Sequence, residues 1–132
     1  MRRDSGGATQ IDMRSDPPPL VYRLAVPSRW AEAMQAGKFT GEADDARDGF
    51  IHFSTADQLP GTLEKHYSGH DRLALVEVPV SELGDALKWE TSRGGDLFPH
   101  LYGDLPMLAV ATVRLIRRGE DGEWTLPSEI FE

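Results

Sequence analysis

Asp48-Gly49-Phe50-Ile51-His52-Phe53-Ser54-Thr55 reads as a short strand that delivers polar side chains and then turns into a helix. Gly49 permits a tight entry. Phe50 to Phe53 favour β structure, with Phe50 and His52 on one face and Ile51 and Phe53 on the other. Thr55 and Gln58 have the spacing of a capping box, so a helix is expected to start there. Pro60 falls just beyond the first turn and removes a backbone donor, which predicts a break or restart. Leu59, Leu63 and Tyr67 then share a helical stripe that Ser68-Gly69 ends. A second stretch, Phe98-Pro99-His100-Leu101-Tyr102-Gly103, puts two polar rings on one strand face and is the expected partner of the first.

Upstream, residues 1 to 19 are rich in Gly, Ser, Asp, Arg and Pro and lack apolar periodicity, so a disordered tail is expected, ending at Pro17-Pro18-Pro19. Leu20 to Val26 reads as a first strand. Val21, Arg23 and Ala25 share one face, and Leu20, Tyr22, Leu24 and Val26 the other. Ser28 is the expected cap of a helix to about Ala36, with Gly37 as its stop and Trp30, Ala33 and Met34 as its buried stripe. Residues 38 to 48 read as a polar loop.

Downstream, Arg72 to Val78 is a near-continuous apolar run, as in a central strand. Ser81 to Leu87 reads as a short helix or turn, Lys88 to Glu90 as a short strand, and Thr91 to Asp96 as a polar loop. A turn at Asp104 to Pro106 precedes a strand from Leu108 to Ile116. Asp121-Gly122 signals a hairpin into a last strand, Glu123 to Leu126, and residues 128 to 132 are expected to fray. Helices early and strands late make an α+β pattern in one domain, residues 20 to 127.

The chain has 132 residues, which fits one domain, and no Cys, which excludes disulfides and thiolate metal sites. That composition suits a reducing cytoplasm, the expected location. No apolar run reaches the roughly 18 residues that span a bilayer. Arg2 and Arg3 are followed by no apolar segment, so no secretory signal is expected. A net charge of −8 repels phosphate backbones, so a nucleic-acid partner is disfavoured.

Four histidines carry most of the possible chemistry. His66 and His70 have the i, i+4 spacing of a helical metal pair, but Ser68-Gly69 interrupts it and no Glu follows His66, so no metal is expected. His52 sits mid-strand one step before Ser54-Thr55, at a strand end and helix start where backbone donors suit polar ligands. It reads either as a core histidine or as a site residue. His100 and Tyr102 are paired on one face, with the path fixed by Pro99 and Gly103. A Ser-His-Asp set from Ser54, His100 and Asp48 or Asp96 has no nucleophile elbow around it. Arg93, beside Gly94-Gly95, reads as an anion clamp or as a solvated loop residue.

Tyr22-Arg23, DGFIHFST, Gln58, Trp89-Glu90, Arg93-Gly94-Gly95 and FPHLYG together resemble the DUF952 family over about residues 20 to 127. That family is distantly similar to the ADP-ribosyltransferase superfamily, which includes the RNA 2'-phosphotransferases. The resemblance implies split antiparallel β-sheets with two or three flanking helices. It also implies NAD or a related nucleotide as ligand and a small substrate. Tyr22-Arg23 would occupy the first motif, with Arg23 and Arg93 holding phosphate. Phe53-Ser54-Thr55 would form the second. The third motif is usually a Glu. Here the equivalent strand offers His100 and Tyr102, and Glu90 is the nearest earlier carboxylate. The implied catalytic residues are His52, His100 and Glu90. The implied ligand-binding residues are Tyr22, Arg23, Ser54, Thr55, Gln58, Trp89, Arg93 and Tyr102. A transferase, a nucleotide-binding protein without turnover, and a structural role for the same side chains all stay open.

Overall fold

The computed structural model describes residues 18–132, and of Arg93 the backbone alone. Residues 1–17 of the expected tail lie outside the described residues. In chain order the elements are β1 (Leu20–Ala25), α1 (Pro27–Ala36), β2 (Lys38–Phe39), α2 (Ala43–Asp48), β3 (Ile51–His52), α3 (Leu59–His66), β4 (Arg72–Pro79), β5 (Leu87–Thr91), β6 (Leu97–Leu101), β7 (Leu105–Pro106) and β8 (Thr112–Arg117). This is an α+β chain of antiparallel sheets, with three α-helices among the described residues.

The apolar run of β4 makes it the middle strand of a sheet ordered β1-β4-β8. Both faces of that sheet are covered, which explains the lack of polar alternation in β4. Val21, Ala25, Ala74, Val76 and Val78 face one core with Trp30, Phe39, Ile51 and Phe53. Tyr22, Leu24, Leu73, Leu75 and Ile116 face the other with Leu59 and Leu63 of α3. Burying one such leucine stabilises the fold by about 2 kcal/mol. The second sheet runs β3-β6-β5. Tyr22 and Ser54 exchange both backbone hydrogen bonds at 2.8 Å, so the two sheets meet edge to edge where β1 passes the end of β3.

The expected capping box forms. Thr55 Oγ1 accepts from Gln58 N, and Gln58 Oε1 accepts from Thr55 N. A 3-10 turn at Ala56–Gln58 restarts as α3 with Pro60 in its first turn, where a missing N–H costs little. Gly37 closes α1 in the left-handed region, at φ 83°.

Other expectations are corrected. α1 begins at Pro27, with Val26 rather than Ser28 at its N-cap, because proline's fixed φ suits the first helical position. Met34 is 56% exposed, and the buried stripe is Trp30 and Ala33. Residues 38 to 48 are β2, which pairs with β7, and the helix α2. The segment starting at Leu108 is first a 3-10 turn, Met107–Ala109, with Leu108 itself exposed. Glu123 to Leu126 makes one bridge, Arg118 to Trp124, because Trp124 and Leu126 turn onto the second core instead. Ser128–Phe131 forms a 3-10 turn with Ile130 packed on that same core, where fraying was expected.

Candidate functional site

In the second sheet the strand alternation separates chemistry from core. Ile51, Leu101 and Leu87 point into the first core with Trp89 beside them. His52, His100 and Lys88 lie in line on the opposite face, beside a cavity of about 710 Å³ that His52 and His100 line. The two imidazole rings are 5.6 Å apart, edge to face. Phe50 stacks on His100 at 4.0 Å and touches His52 at 4.7 Å, so one aromatic ring fixes the spacing of both.

His100 is nearly sealed, at 4% exposure. Its Nδ1 donates to Glu90 Oε1 at 2.7 Å, and Tyr102 Oη donates to the same carboxylate at 2.9 and 3.2 Å. Those bonds hold the Glu90 carboxyl below the usual carboxylate range, His100 contributing most. The bond to Glu90 raises the Tyr102 phenol. Glu90 belongs to β5 and approaches β6 from the side away from β3. Nδ1 of His100 is therefore turned to β5, and Nε2 is the nitrogen left for the cavity. A neutral ring that donates from Nδ1 carries its lone pair on Nε2, the form a general base needs.

His52 is held differently. Its Nδ1 donates to Asp45 Oδ1 at 2.8 Å and its Nε2 to Asp48 Oδ2 at 2.9 Å. Donation from both nitrogens belongs to the imidazolium. Asp45 is 2% exposed and is the hub of this side. Its Oδ1 also accepts from Arg23 Nη1 at 2.6 Å and from His52 N at 2.9 Å, and its Oδ2 accepts from Glu42 N at 2.5 Å. Burial alone would raise the Asp45 carboxyl, but hydrogen bonds from His52 and Arg23 outweigh it and hold the group well below the carboxylate range. Gly41 makes room for this hub. It sits at φ +105°, and a Cβ there would come within 2.6 Å of Asp45 Cβ.

Arg23 is accordingly not a free phosphate ligand. Its Nη2 donates to Glu42 Oε1 at 2.9 Å, its Nη1 to Asp45 and to His52 O, and its Nε to Leu24 O. The guanidinium lies over Phe39 at 5.0 Å. An isolated charge in an apolar strand requires such partners, and here they are supplied by Glu42 and Asp45.

Tyr22 and Ser54 line the cavity together with Leu24, Phe53, Tyr67 and Phe98. Thr62 Oγ1 donates to Gln58 O at 3.1 Å, so Ser54 Oγ, 3.0 Å from Thr62, gives its own proton to Thr62. Ser54 therefore has no histidine to deprotonate it, and the Ser54-His100-Asp triad is not assembled. Burial pushes the Tyr67 phenol up to about 12, and its hydroxyl donates to Leu24 O. Thr55 and Gln58 are taken up by the capping box, with Gln58 also donating to Leu97 O. Trp89 packs against the core, on the other face of the sheet from Glu90. The side chain of Arg93 lies outside the described residues. α3 ends at His66, so His66 and His70 are not on one helix. Sequence reading missed Asp45 and Glu42. Their signal was the lone Arg23 in an apolar strand, which needs a buried carboxylate, with an acidic cluster close behind Gly41.

A family model described as "Protein of unknown function (DUF952)" matches residues 24–113. The chain belongs to the DUF952 family. Its fold is similar to the crystal structure of protein CC0527 from Caulobacter crescentus, with a TM-score of 0.80 and 37% identity over 86% of this chain and 99% of that one. The solution structure of CC0527 gives a TM-score of 0.72 and 39% identity, over 80% of this chain and 90% of that one. No curated protein matches the chain. The residues matched by the DUF952 model contain Asp45, His52, Glu90 and His100, so both histidines and their carboxylates lie within the family's extent.

Proposed function

We propose that this DUF952 protein binds NAD or a related nucleotide in the cavity and transfers a group between it and a small substrate. His100 would act as the general base. The observation that carries this reading is the Glu90–His100 pair. A buried imidazole is oriented at 2.7 Å by a carboxylate, clamped by Phe50, and left with one nitrogen toward a cavity of about 710 Å³. Glu90 does not line the cavity, so in this reading it positions His100 rather than touching the ligand. Two antiparallel sheets meeting beside a cleft are compatible with an ADP-ribosyltransferase-like fold, and the protein would work in the cytoplasm.

A thermal-shift series with NAD, ADP-ribose, mononucleotides and inorganic phosphate tests the ligand. A compound at 100 times its Kd stabilises by about 2.7 kcal/mol. Product analysis with the wild type, His100→Ala and His52→Ala then tests turnover. No shift with any of these at millimolar concentration refutes the nucleotide site. Binding without turnover supports the alternative, a nucleotide-binding protein. One observation favours that alternative: β6 sends no carboxylate into the cavity.

A further inference from the structure

The two histidines are partnered differently. His52 donates to two carboxylates, Asp45 and Asp48. His100 donates to one, Glu90, and keeps a lone pair. Two such rings, 5.6 Å apart and lining one cavity, are an acid and a base within reach of one tetrahedral group. We infer that the bond broken in this site is a phosphoester whose leaving group is a basic alkoxide, with His52 as general acid, His100 as general base and Asp45 as the residue that positions His52. This rests on the nucleotide-cavity reading and names the bond within it.

The chemistry of the site selects that bond class. Loss of nicotinamide from a glycosidic bond releases a neutral base and needs no proton, so His52 would have no task there. Acyl transfer through Ser54 has no base on the serine. An alkoxide leaving from phosphorus does need a proton, and Lys65 and Arg29 line the cavity where a diester anion would sit. In the step, an acceptor hydroxyl or water attacks phosphorus. His100 Nε2 takes the acceptor's proton, the P–O bond to the leaving alcohol breaks, and His52 Nε2 protonates the departing oxygen. Solvent then returns a proton to His52 and removes one from His100. Asp48 covers His52 Nε2, and its bidentate hold on Arg47 gives it a place to remain when the leaving oxygen takes over that contact.

The test compares two esters of adenosine monophosphate, para-nitrophenyl and methyl, which share the bound part and differ only in the leaving group. Nitrophenolate leaves without a proton and methoxide does not. The expected result is that His52→Gln lowers kcat for the methyl ester by about 100-fold or more, the usual worth of a general acid, and for the nitrophenyl ester by under about threefold. His100→Gln lowers both, and Asp45→Asn follows the His52 pattern. The nitrophenyl rate doubles as the control for folding. Wild-type protein alone gives a second reading, because leaving-group protonation is what lets it cleave the methyl ester at all. Equal losses on both esters in His52→Gln overturn the inference, as does a wild type that spares the methyl ester. If NAD binds or is consumed while neither ester is cleaved, this inference fails and the nucleotide site stands. If no nucleotide binds, both fail.

Discussion

Replacing Asp45 tests whether α2 is held by electrostatics at the hub. The carboxylate is 2% exposed and accepts from Arg23 Nη1, His52 Nδ1, His52 N and Glu42 N. Asp45→Ala leaves Arg23, itself 5% exposed, with Glu42 as its remaining carboxylate. Removing one member of a buried pair typically costs about 3–5 kcal/mol, because the other charge stays buried. For a domain near this size, that is a fall in Tm of about 12–20 °C, at roughly 4 °C per kcal/mol. Asp45→Asn should lose less, since its carbonyl still accepts at the Oδ1 position, even though its amide then opposes the Glu42 N–H donor to donor. The pH dependence follows from the depressed carboxyl. The unfolded group titrates near 3.9, so the contribution of ionised Asp45 is complete above that pH and is lost as pH falls below it toward the folded value. The assay is urea denaturation of wild type, Asp45→Ala, Asp45→Asn, Arg23→Ala and the Arg23→Ala/Asp45→Ala double variant, from pH 7 down to about pH 3. The gap between wild type and Asp45→Asn should shrink below about pH 4. A loss under about 1 kcal/mol in Asp45→Ala, or strict additivity in the double variant, refutes the reasoning.

Four further outcomes are expected. Gly41→Ala, which forces a side chain at φ +105° against Asp45 Cβ, should destabilise by about 2–4 kcal/mol in thermal melts. Glu90→Gln should lower turnover with little change in Tm, and Tyr102→Phe should do so more weakly, since Tyr102 reaches His100 only through Glu90. A Tm loss without a rate loss would contradict that. Trp89→Ala should destabilise by about 2 kcal/mol through lost packing and leave nucleotide affinity, read by calorimetry, unchanged. Gln58→Ala should cost about 1 kcal/mol by removing half of the capping box, again with affinity unchanged.

The elements that sequence placed well are those whose signal is local. The Thr55/Gln58 box depends on four adjacent residues, and the apolar run of β4 on burial of both sheet faces. α2 gave no such signal. Its sequence, ADDARD, carries no apolar stripe, so helical periodicity could not reveal it. What holds it is tertiary: Glu42 and Asp45 binding Arg23, and Gly41 leaving space. The same reason hid Asp45 from the site. His52 and His100 stood out as polar residues on strand faces, but the carboxylate that sets the state of His52 comes from a segment that reads as an acidic loop. Trp89 misled in the opposite direction. Beside Glu90 in sequence, it is on the other face in space, since strand neighbours alternate.

The position of the carboxylates decides what kind of charge the cavity can stabilise. A carboxylate on β6 would face a ligand directly and would stabilise positive charge building on a ribose. In this chain β6 carries no carboxylate, and Glu90 on β5 stands behind His100. Glu42, Asp44, Asp45 and Asp48 do line the cavity, but each is already bound to a cation: Glu42 and Asp45 to Arg23, Asp44 and Asp48 to Arg47, and Asp45 and Asp48 also to His52. An incoming cation would have to compete with those partners. The groups left to act on a ligand are the two imidazoles with Lys65 and Arg29, and in the proposed step one imidazole offers a proton and the other accepts one. In the proposed reading such a site would lower a barrier by moving protons between oxygens rather than by holding a carbocation, and that is why the leaving group is the variable to change first.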